Sequence, residues 1–206
     1  MKANELADFM AEEDVGLGGE FLAYMALREL PAPWRVLRNL LVPSAAGEAQ
    51  DTEIDLVLLH SSGVYVLEVK QYSGWIFGAP KDKYWTQTFS DGRGGSQKFK
   101  LYNPLRQNFG HVQALKQNLA VFGALPLWPA VVFGDHCEFR TQLSTPAEPV
   151  IHTRELADTV TRMAMKQGDC LSAYDLEMIY RYLKPLENPS ARRREEHQKH
   201  VQSKQT

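Results

Sequence analysis

Three ionisable residues stand inside two segments that are otherwise aliphatic. Asp55 interrupts residues 54–59, and Glu68 and Lys70 interrupt residues 64–70. Both segments have the length and composition of buried β-strands. Because side chains along a strand alternate between its two faces, Glu68 and Lys70 project to the same side. Charged side chains in such a setting indicate either a chemically active site or a compensated ion cluster.

The turn that joins the two strands decides how these charges face one another. A turn at residues 61–62 places Asp55 opposite Glu68, whereas a turn at residues 62–63 pairs Asp55 with Lys70. Both registers keep the three side chains on one face. Two carboxylates directly opposite each other lie about 5 Å apart at their Cβ atoms and repel. In an apolar layer, an uncompensated pair costs on the order of several kcal/mol.

A hard divalent cation would compensate such a pair. Mg²⁺, or Mn²⁺ in its place, prefers carboxylate, carbonyl and water oxygens, and it is often held by two protein carboxylates beside a phosphate. The Lys70 ammonium would then orient or activate an attacking water and neutralise charge that develops on phosphorus. The structural alternative is a satisfied ion cluster in which Asp55 and Glu68 pair with Lys70, while Glu53 faces solvent at a strand end.

The elements that position these residues follow from hydrophobic periodicity and from the proline and glycine positions. A helix is predicted to begin after residues 16–19 and to end at Pro31, and Pro104 opens a second helix that runs to about Phe122. The order helix, three strands, helix, strand and helices predicts one α/β layer domain. Strands are predicted over residues 34–42, 52–60, 63–69, 84–89, 128–133 and 149–152, with further helices from residues 154 and 173.

An ordered series of short motifs surrounds the charged cluster: Gly19-Glu20, Leu30-Pro31, Trp34, Asn39-Leu40, Glu53-Ile54-Asp55, Glu68-Val69-Lys70, Gly74-Trp75, Asn103-Pro104 and Gln107. Over about residues 15–125, the series resembles the nuclease-related domain, NERD, of the PD-(D/E)XK nuclease-like superfamily. The resemblance implies a restriction-endonuclease-like three-layer α/β fold, in which a mixed central β-sheet is flanked by α-helices. It also implies Mg²⁺-dependent hydrolysis of phosphodiester bonds in DNA.

Carried over position by position, the resemblance assigns the charged cluster to a catalytic site. Asp55 and Glu68 correspond to the metal ligands, and the carbonyl of Val69 adds an oxygen. Lys70 corresponds to the catalytic lysine. Glu20 corresponds to the acidic residue of the first helix, which reaches the metal directly or through water. The competing interpretation of Glu20 is a carboxylate favoured by the helix N-terminus.

Two residues on the helix after Pro104 share a face because they lie four positions apart, Gln107 and His111. Gln107 resembles a glutamine that supports the site in the superfamily's recombination-type nucleases. His111 would shuttle a proton or contact phosphate, and its structural alternative is a residue at the boundary of helix and sheet. One departure from the superfamily pattern is Ile54, which stands where a proline precedes the first strand aspartate.

Residues 70–106 carry a surplus of positive charge, interleaved with aromatic residues that include Tyr72, Trp75 and Trp85. Such mixtures bind nucleic acid by phosphate pairing and base stacking. The structural alternative for Trp75 and Trp85 is packing of a hairpin onto the sheet. Together with the activity that the resemblance implies, this segment makes DNA the predicted partner, with RNA as the alternative. The predicted nucleic-acid-binding residues are Lys81, Lys83, Arg93, Lys98, Lys100, Arg106 and His111.

Composition bounds the class of protein. The 206 residues predict a single domain over residues 1–187, with its motif core at about 15–125 and a C-terminal part at 126–187, followed by a polar basic tail over residues 188–206. A net charge of −2 excludes a uniformly basic surface. No apolar run approaches the roughly 18 residues of a membrane span, which predicts a cytoplasmic protein without a membrane partner. The sequence specifies no oligomeric state.

Two functions are compatible with this pattern. The first is a metal-dependent deoxyribonuclease. The second is a nucleic-acid-binding or interaction module that keeps the fold without turnover, since fold alone does not fix activity. The joint presence of Asp55, Glu68 and Lys70 favours the enzyme.

Overall fold

The computed structural model describes residues 15–31, 34–44, 51–90, 95–145 and 147–187. Short 3₁₀ turns at Leu119–Phe122 and Thr153–Glu155 adjoin the helices. The helices are α1 (Val15–Leu27), α2 (Pro104–Asn118), α3 (Leu156–Gln167) and α4 (Ala173–Glu187). The strands are β1 (Trp34–Pro43), β2 (Asp51–His60), β3 (Gly63–Lys70), β4 (Gly74–Phe77), β5 (Tyr84–Ser90), β6 (Ser96–Tyr102), β7 (Leu127–Phe133), β8 (Cys137–Phe139) and β9 (Val150–His152).

The longer sheet has the strand order β1-β2-β3-β7-β9. Strands β1, β2 and β3 are antiparallel neighbours, whereas β7 and β9 run parallel to β3. Aliphatic side chains of α1 and α3 pack on one face of this sheet, and those of α2 and α4 pack on the other. The predicted three-layer α/β fold with a mixed central sheet is therefore confirmed.

The β2–β3 hairpin fixes the relative position of the charged residues. It turns at residues 61–62, and Leu56 lies opposite Leu67. One further step along both strands places Asp55 opposite Glu68. The first of the two predicted registers is therefore correct, and the register with the turn one residue later is wrong.

A second sheet, of strand order β6-β5-β4-β8, adjoins the first. The sequence predicts only β5 of this sheet. Strands β4 and β8 have four and three residues, and six of the seven residues of β6 are exposed, so none of them shows an aliphatic pattern. Ile76, Trp85 and Leu101 attach the sheet to Phe133 of β7 through a shared apolar cluster.

Helix α1 begins earlier than its sequence predicts. The glycines of residues 16–19 were expected to precede the helix, but α1 includes them. Glycine is a poor helix former, so its presence has a reason other than helix propensity. A Cβ atom at Gly19 would lie only 3.0 Å from the side chain of Gln71. The glycine lets the first turns of α1 approach the residues that follow β3.

Some predictions concern residues that the structure leaves undescribed. Arg93 and the tail at residues 188–206 lie outside the described residues. The single-domain boundaries at residues 1–187 stay a prediction. Among the described helices, none is both long and apolar enough to cross a lipid bilayer.

Candidate active site

The β2–β3 hairpin carries an aspartate where its ladder of backbone pairs ends. The last paired residues are Leu56 and Leu67. Beyond them, the backbone N–H of Val69 donates a hydrogen bond of 2.7 Å to Oδ2 of Asp55. The N–H of Val69 thus bonds to a side-chain carboxylate instead of a backbone carbonyl of β2. This hydrogen bond holds the Asp55 side chain beside Glu68 at the end of the ladder.

Glu68 is the centre of the cluster and is 0% exposed. The Nζ atom of Lys70 forms an ion pair with its Oε1 atom, and Nδ1 of His111 lies 3.0 Å from its Oε2 atom. Lys70 projects from the same face of β3, whereas His111 comes from α2, which packs over that face. Two consecutive strands and one helix therefore converge on one buried carboxylate.

Several acceptor atoms of this region lack a hydrogen-bond donor. Each carboxylate oxygen of Glu68 is contacted by one basic side chain, Lys70 or His111. By contrast, Oε2 of Glu20 and Oε1 of Gln71 are buried without a hydrogen-bond partner. Because most buried polar atoms in folded proteins are hydrogen-bonded, these two oxygens are exceptions. A cluster of this kind suits an electron-poor ligand.

The pKa values of the cluster are shifted in opposite directions. Burial raises the pKa of Asp55 well above its ordinary value, and repulsion by Glu68 adds to the rise. Burial also acts to raise the pKa of Glu68, but His111 and Lys70 outweigh it and hold that pKa below its ordinary value. For Lys70, burial lowers the pKa, and the attraction of Glu68 and Asp55 outweighs this and raises it. Asp55 therefore disfavours its ionised form in this setting, and a further positive charge beside it would favour ionisation of both carboxyls.

Glu20 reaches the same region from the first turns of α1. Burial, together with repulsion from Glu53 and Glu68, raises the pKa of Glu20 to about 7, although a side-chain hydrogen bond with Asn39 opposes the rise. Asn39 stands opposite Asp55 in the β1–β2 register and has a φ of 50°. Few residues other than glycine adopt this left-handed conformation, and asparagine is among the most tolerant. The residue that is hydrogen-bonded to Glu20, Asn39, thus has a strained backbone conformation.

The metal-free protein is expected to lose stability as the pH rises towards neutrality. The pKa of Glu20 is about 7 in the fold against an ordinary value of 4.5, so the folded state binds this proton more tightly than the unfolded chain. The stabilisation is complete below the ordinary pKa and is lost as the pH rises through 7. Melting temperatures in EDTA between about pH 5 and pH 8 should therefore fall less for Glu20→Gln than for the unmodified chain. An unchanged pH profile in Glu20→Gln, equal to that of the exposed control Glu29→Gln, would contradict this.

Comparison with known proteins identifies the family. A family model described as nuclease-related domain, NERD, matches residues 15–134. The chain belongs to the NERD family. The match includes all the residues of the cluster, from Glu20 to His111, and it is consistent with the PD-(D/E)XK nuclease-like superfamily.

One relative has a similar sequence, but its name states no activity. An uncharacterized protein of Bacillus anthracis is 35% identical to the NERD chain over 102 residues. The match covers 49% of this chain and 45% of the relative, so the chain spans less than half of the relative's length. No solved structure matches the NERD chain.

Gln71 directly follows Lys70 in this NERD chain, and the sequence analysis did not single it out. A Cβ atom at Gly134 would lie 2.3 Å from Oε1 of Gln71, and one at Gly19 would lie 3.0 Å from the same atom. The N–H of Gly134 donates to the carbonyl oxygen of Lys70 at 2.9 Å. The absence of a Cβ atom at Gly19 and Gly134 therefore leaves room for the side-chain amide of Gln71. Its position next to Lys70 in the sequence is the signal that would have found it.

Gly134→Ala is expected to displace the Gln71 side chain. Overpacking of this kind costs about 1–3 kcal/mol in the free energy of unfolding, and a misplaced site residue lowers nuclease activity by about 10- to 100-fold. The matched control is Gly110→Ala, since a Cβ atom there meets nothing within 4 Å. That control should keep its activity and gain about 0.5–1 kcal/mol from helix propensity. Equal activity of the two variants in a nuclease assay would show that Gln71 has no role.

Helix α2 of the NERD chain begins as its sequence predicts. Oδ1 of Asn103 accepts a hydrogen bond of 2.9 Å from the N–H of Leu105, and Pro104 occupies the first turn. The helix carries His111 to Glu68, so His111 is buried and does not lie on the exposed surface. Gln107 lies one turn earlier and is half-buried, and its side chain makes no hydrogen bond within the part of the chain that the structure describes.

Asn108 and Glu148 form a second polar group under α2. The Nδ2 atom of the fully buried Asn108 donates to the carbonyls of Val66 and Ala130, at 3.2 Å each, and to Oε1 of Glu148 at 2.9 Å. Burial raises the pKa of Glu148 to about 7 despite the bond from Asn108, and repulsion from Glu68 adds to the rise. Sequence analysis missed Glu148 because it stands in a loop far along the chain and belongs to no motif.

The residues of the site fit a hard divalent cation by their chemistry. Asp55 and Glu68 are opposed carboxylates, and the unpartnered acceptors around them are oxygens, which Mg²⁺ and Mn²⁺ prefer. Among the described residues, no three or more His, Cys, Asp or Glu side chains are grouped closely enough to hold a metal. Mg²⁺ needs only one or two protein carboxylates, because it keeps several waters. The oxygen from Val69 stays a prediction.

Five of the predicted nucleic-acid-binding residues lie on the surface of the NERD chain, whereas His111 is buried and Arg93 lies outside the described residues. Trp85 is 1% exposed and belongs to the core, so the packing alternative is correct for Trp85. Trp75 is 38% exposed. The exposed basic residues are Lys81, Lys83, Lys98, Lys100 and Arg106, and all except Arg106 lie on or directly before β5 and β6.

Proposed function

We propose that this chain is a metal-dependent nuclease that hydrolyses phosphodiester bonds of DNA at the cluster of Asp55, Glu68 and Lys70. The observation that carries the proposal is the convergence of the fully buried Glu68 with Asp55 and Lys70. Beside this cluster, buried oxygens of Glu20 and Gln71 have no hydrogen-bond partner. A purely structural ion cluster would be expected to satisfy such oxygens, because an unsatisfied buried polar atom is costly. Membership of a nuclease-related family supports the same function.

The metal in this proposal is Mg²⁺, with Mn²⁺ as a substitute, held by Asp55 and Glu68. A divalent cation at this place supplies Lewis-acid polarisation of the phosphate and lowers the pKa of water. Glu20 and the carbonyl of Val69 are the further oxygens that we assign to its surroundings. The raised pKa of Asp55 means that such a positive charge would favour ionisation of both carboxyls.

Lys70 acts as a donor rather than a base. Its pKa is raised, so its ammonium is charged at neutral pH and holds its protons. It donates to an attacking water or to a phosphate oxygen, and it stabilises the negative charge that develops there. His111 fixes the carboxylate of Glu68 from α2, and Gln71 offers an amide oxygen to the hydrogens of a water. We assign Gln107 to substrate positioning one turn before His111.

Incubation of the purified chain with plasmid DNA tests the proposal. Conversion of supercoiled plasmid to nicked or linear forms is expected with Mg²⁺ or Mn²⁺ and is expected to stop in EDTA. A parallel arm with RNA separates the two substrates, and cleavage of RNA alone would reassign the substrate. Absence of cleavage of either nucleic acid with both metals would contradict the proposal.

The second candidate function is a nucleic-acid-binding module without turnover. It is favoured by the observation that no group of three metal-ligating side chains is assembled among the described residues. Such a module would bind DNA in a salt-sensitive way and would gain no thermal stability from Mg²⁺. The plasmid assay and a melting curve with Mg²⁺ therefore separate the two functions.

A further inference from the structure

The face of the second sheet that points away from the core carries side chains in ordered rows. Trp75 of β4 lies beside Thr88 of β5, and Thr88 lies beside Lys98 of β6. In the next row, Phe77 of β4 lies beside Thr86 of β5, and Thr86 lies beside Lys100 of β6. In the last row, Tyr84 of β5 lies beside Tyr102 of β6.

We call this surface the outer face and define it by Trp75, Phe77, Tyr84, Tyr102, Lys98 and Lys100. The opposite face of the same sheet packs against the core through Ile76, Trp85 and Leu101, and further along β6 it carries Phe99, which is 50% exposed. The aromatic residues of the outer face do not belong to this buried apolar cluster. Trp75 is 38% exposed, Tyr84 is 49% exposed and Tyr102 is 45% exposed. Large aromatic side chains in this position are typical of a binding surface.

The charge on the outer face is positive. Lys98 and Lys100 are exposed along its β6 edge. At the β4 edge, the guanidinium of Arg140 lies 4.6 Å from the ring centroid of Trp75 and pairs with Glu138. Aromatic rings and cations therefore alternate on the outer face. This arrangement suits a ligand that carries both negative charges and flat apolar rings.

We propose that the outer face binds single-stranded DNA, with bases stacked on Trp75, Tyr84 and Tyr102 and with phosphates paired to Lys98 and Lys100. Unpaired bases offer their ring faces to aromatic side chains, whereas a duplex hides those faces inside its own stack. A surface that relied on lysines alone would bind both forms through phosphate. The choice of DNA rests on the proposed nuclease function, and the single-strand preference rests on the exposed rings.

A cleft adjoins the outer face at Tyr102. Tyr102 lines a cleft of about 500 Å³ together with Arg106, Phe109 and Glu148. Glu148 is hydrogen-bonded to Asn108, which lies on α2 three residues before His111. A strand bound across the outer face would therefore meet the exposed Arg106 of this cleft next to Tyr102.

Equilibrium binding in EDTA tests the inference without any cleavage. The full chain is titrated against fluorescein-labelled oligothymidine of about 20 nucleotides, which exceeds the roughly 4–16 nucleotides that one single-strand-binding domain covers. A duplex of the same length is the second probe. The variants are Trp75→Ala, Tyr84→Ala and the double variant Lys98→Ala with Lys100→Ala. Tyr174→Ala is the matched aromatic control, because Tyr174 is 72% exposed on α4.

Each aromatic variant is expected to raise the Kd for oligothymidine by about 5- to 150-fold and to leave duplex binding nearly unchanged. The salt dependence separates the two kinds of contact. The double lysine variant should lower the slope of log Kd against log salt by about 1.4, whereas the aromatic variants should leave that slope unchanged. Tyr174→Ala should bind like the unmodified chain. Trp75→Phe keeps a stacking ring and should retain most of the affinity.

Two results would overturn the inference. One is equal affinity of the unmodified chain for duplex and oligothymidine, and the other is normal oligothymidine binding by the folded Tyr84→Ala variant. Either result combined with plasmid cleavage would reject the outer face and keep the nuclease function. If oligothymidine binding depends on the aromatic rings but no cleavage occurs in Mg²⁺, the nuclease function would be rejected and the outer face would be kept.

Discussion

Lys70→Ala is expected to lower the rate of Mg²⁺-dependent DNA cleavage by about 100- to 1,000-fold, the usual cost of removing one donor that stabilises developing charge. The Lys70 ammonium contacts Glu68 inside the carboxylate cluster, and its raised pKa keeps it charged at neutral pH. The measurement is the initial rate of plasmid nicking at saturating Mg²⁺. Lys116→Ala is the matched control, because Lys116 is an exposed lysine of α2.

The same variant also separates catalysis from metal binding. Since Lys70 is not among the proposed ligands, Lys70→Ala should still gain thermal stability from Mg²⁺. Cleavage that persists at the unmodified rate in Lys70→Ala would place the activity at another site or in a contaminant. Loss of cleavage in Lys116→Ala as well would show that the assay responds to surface charge alone.

Asp55→Asn is expected to lower cleavage by at least about 100-fold and, at the same time, to stabilise the metal-free protein. Burial and repulsion by Glu68 raise the pKa of Asp55, so the folded state disfavours the ionised form. The stabilising effect of its proton is complete below the ordinary pKa of an aspartate and is lost as the pH rises through the folded value. Asparagine removes this pH-dependent loss and can still accept the hydrogen bond from Val69.

Melting temperature in EDTA measures the stabilisation. At about pH 8, we expect Asp55→Asn to melt above the unmodified chain by roughly 2–10 °C, which corresponds to about 1–3 kcal/mol for a protein of this size. The difference should shrink as the pH is lowered. A variant that melts lower than the unmodified chain at every pH would instead identify Asp55 as part of a stabilising ion cluster, which is the structural alternative.

The elements that could be predicted from sequence are those with strong local signals. The aliphatic segments around Asp55 and Glu68 specify a buried hairpin, but its sequence allows two turns, and the structure decides between them. Asn103 and Pro104 specify the start of α2 by capping. Because both registers keep the same alternation of side chains, the convergence of Asp55, Glu68 and Lys70 on one face was predictable without the register.

The remaining parts of the site depend on contacts between distant segments. The pairing of His111 with Glu68 requires the packing of α2 on β3, which no local pattern records. Asn39 adopts its left-handed conformation inside a strand that otherwise has a regular pattern. Glu148 reaches Asn108 from a loop that lies 40 positions further along the chain.

The second sheet was missed for a different reason. Its strands β4 and β8 are too short for a periodic pattern, and β6 carries exposed lysines on an edge strand. The lysines were predicted to bind nucleic acid from their charge and from the aromatic residues interleaved with them in the sequence. Only the paired register of β4, β5 and β6 shows that Lys98 and Lys100 share a face with Trp75.

Calorimetric titration of Mn²⁺ into the purified chain tests the proposed metal site without depending on cleavage. Binding is expected for the unmodified chain and for Lys70→Ala, with release of protons as Asp55 ionises. It is expected to be lost in the double variant Asp55→Asn with Glu68→Gln. Equal Mn²⁺ binding by the unmodified chain and the double variant, or no binding by the unmodified chain at millimolar Mn²⁺, would show that these carboxylates hold no cation.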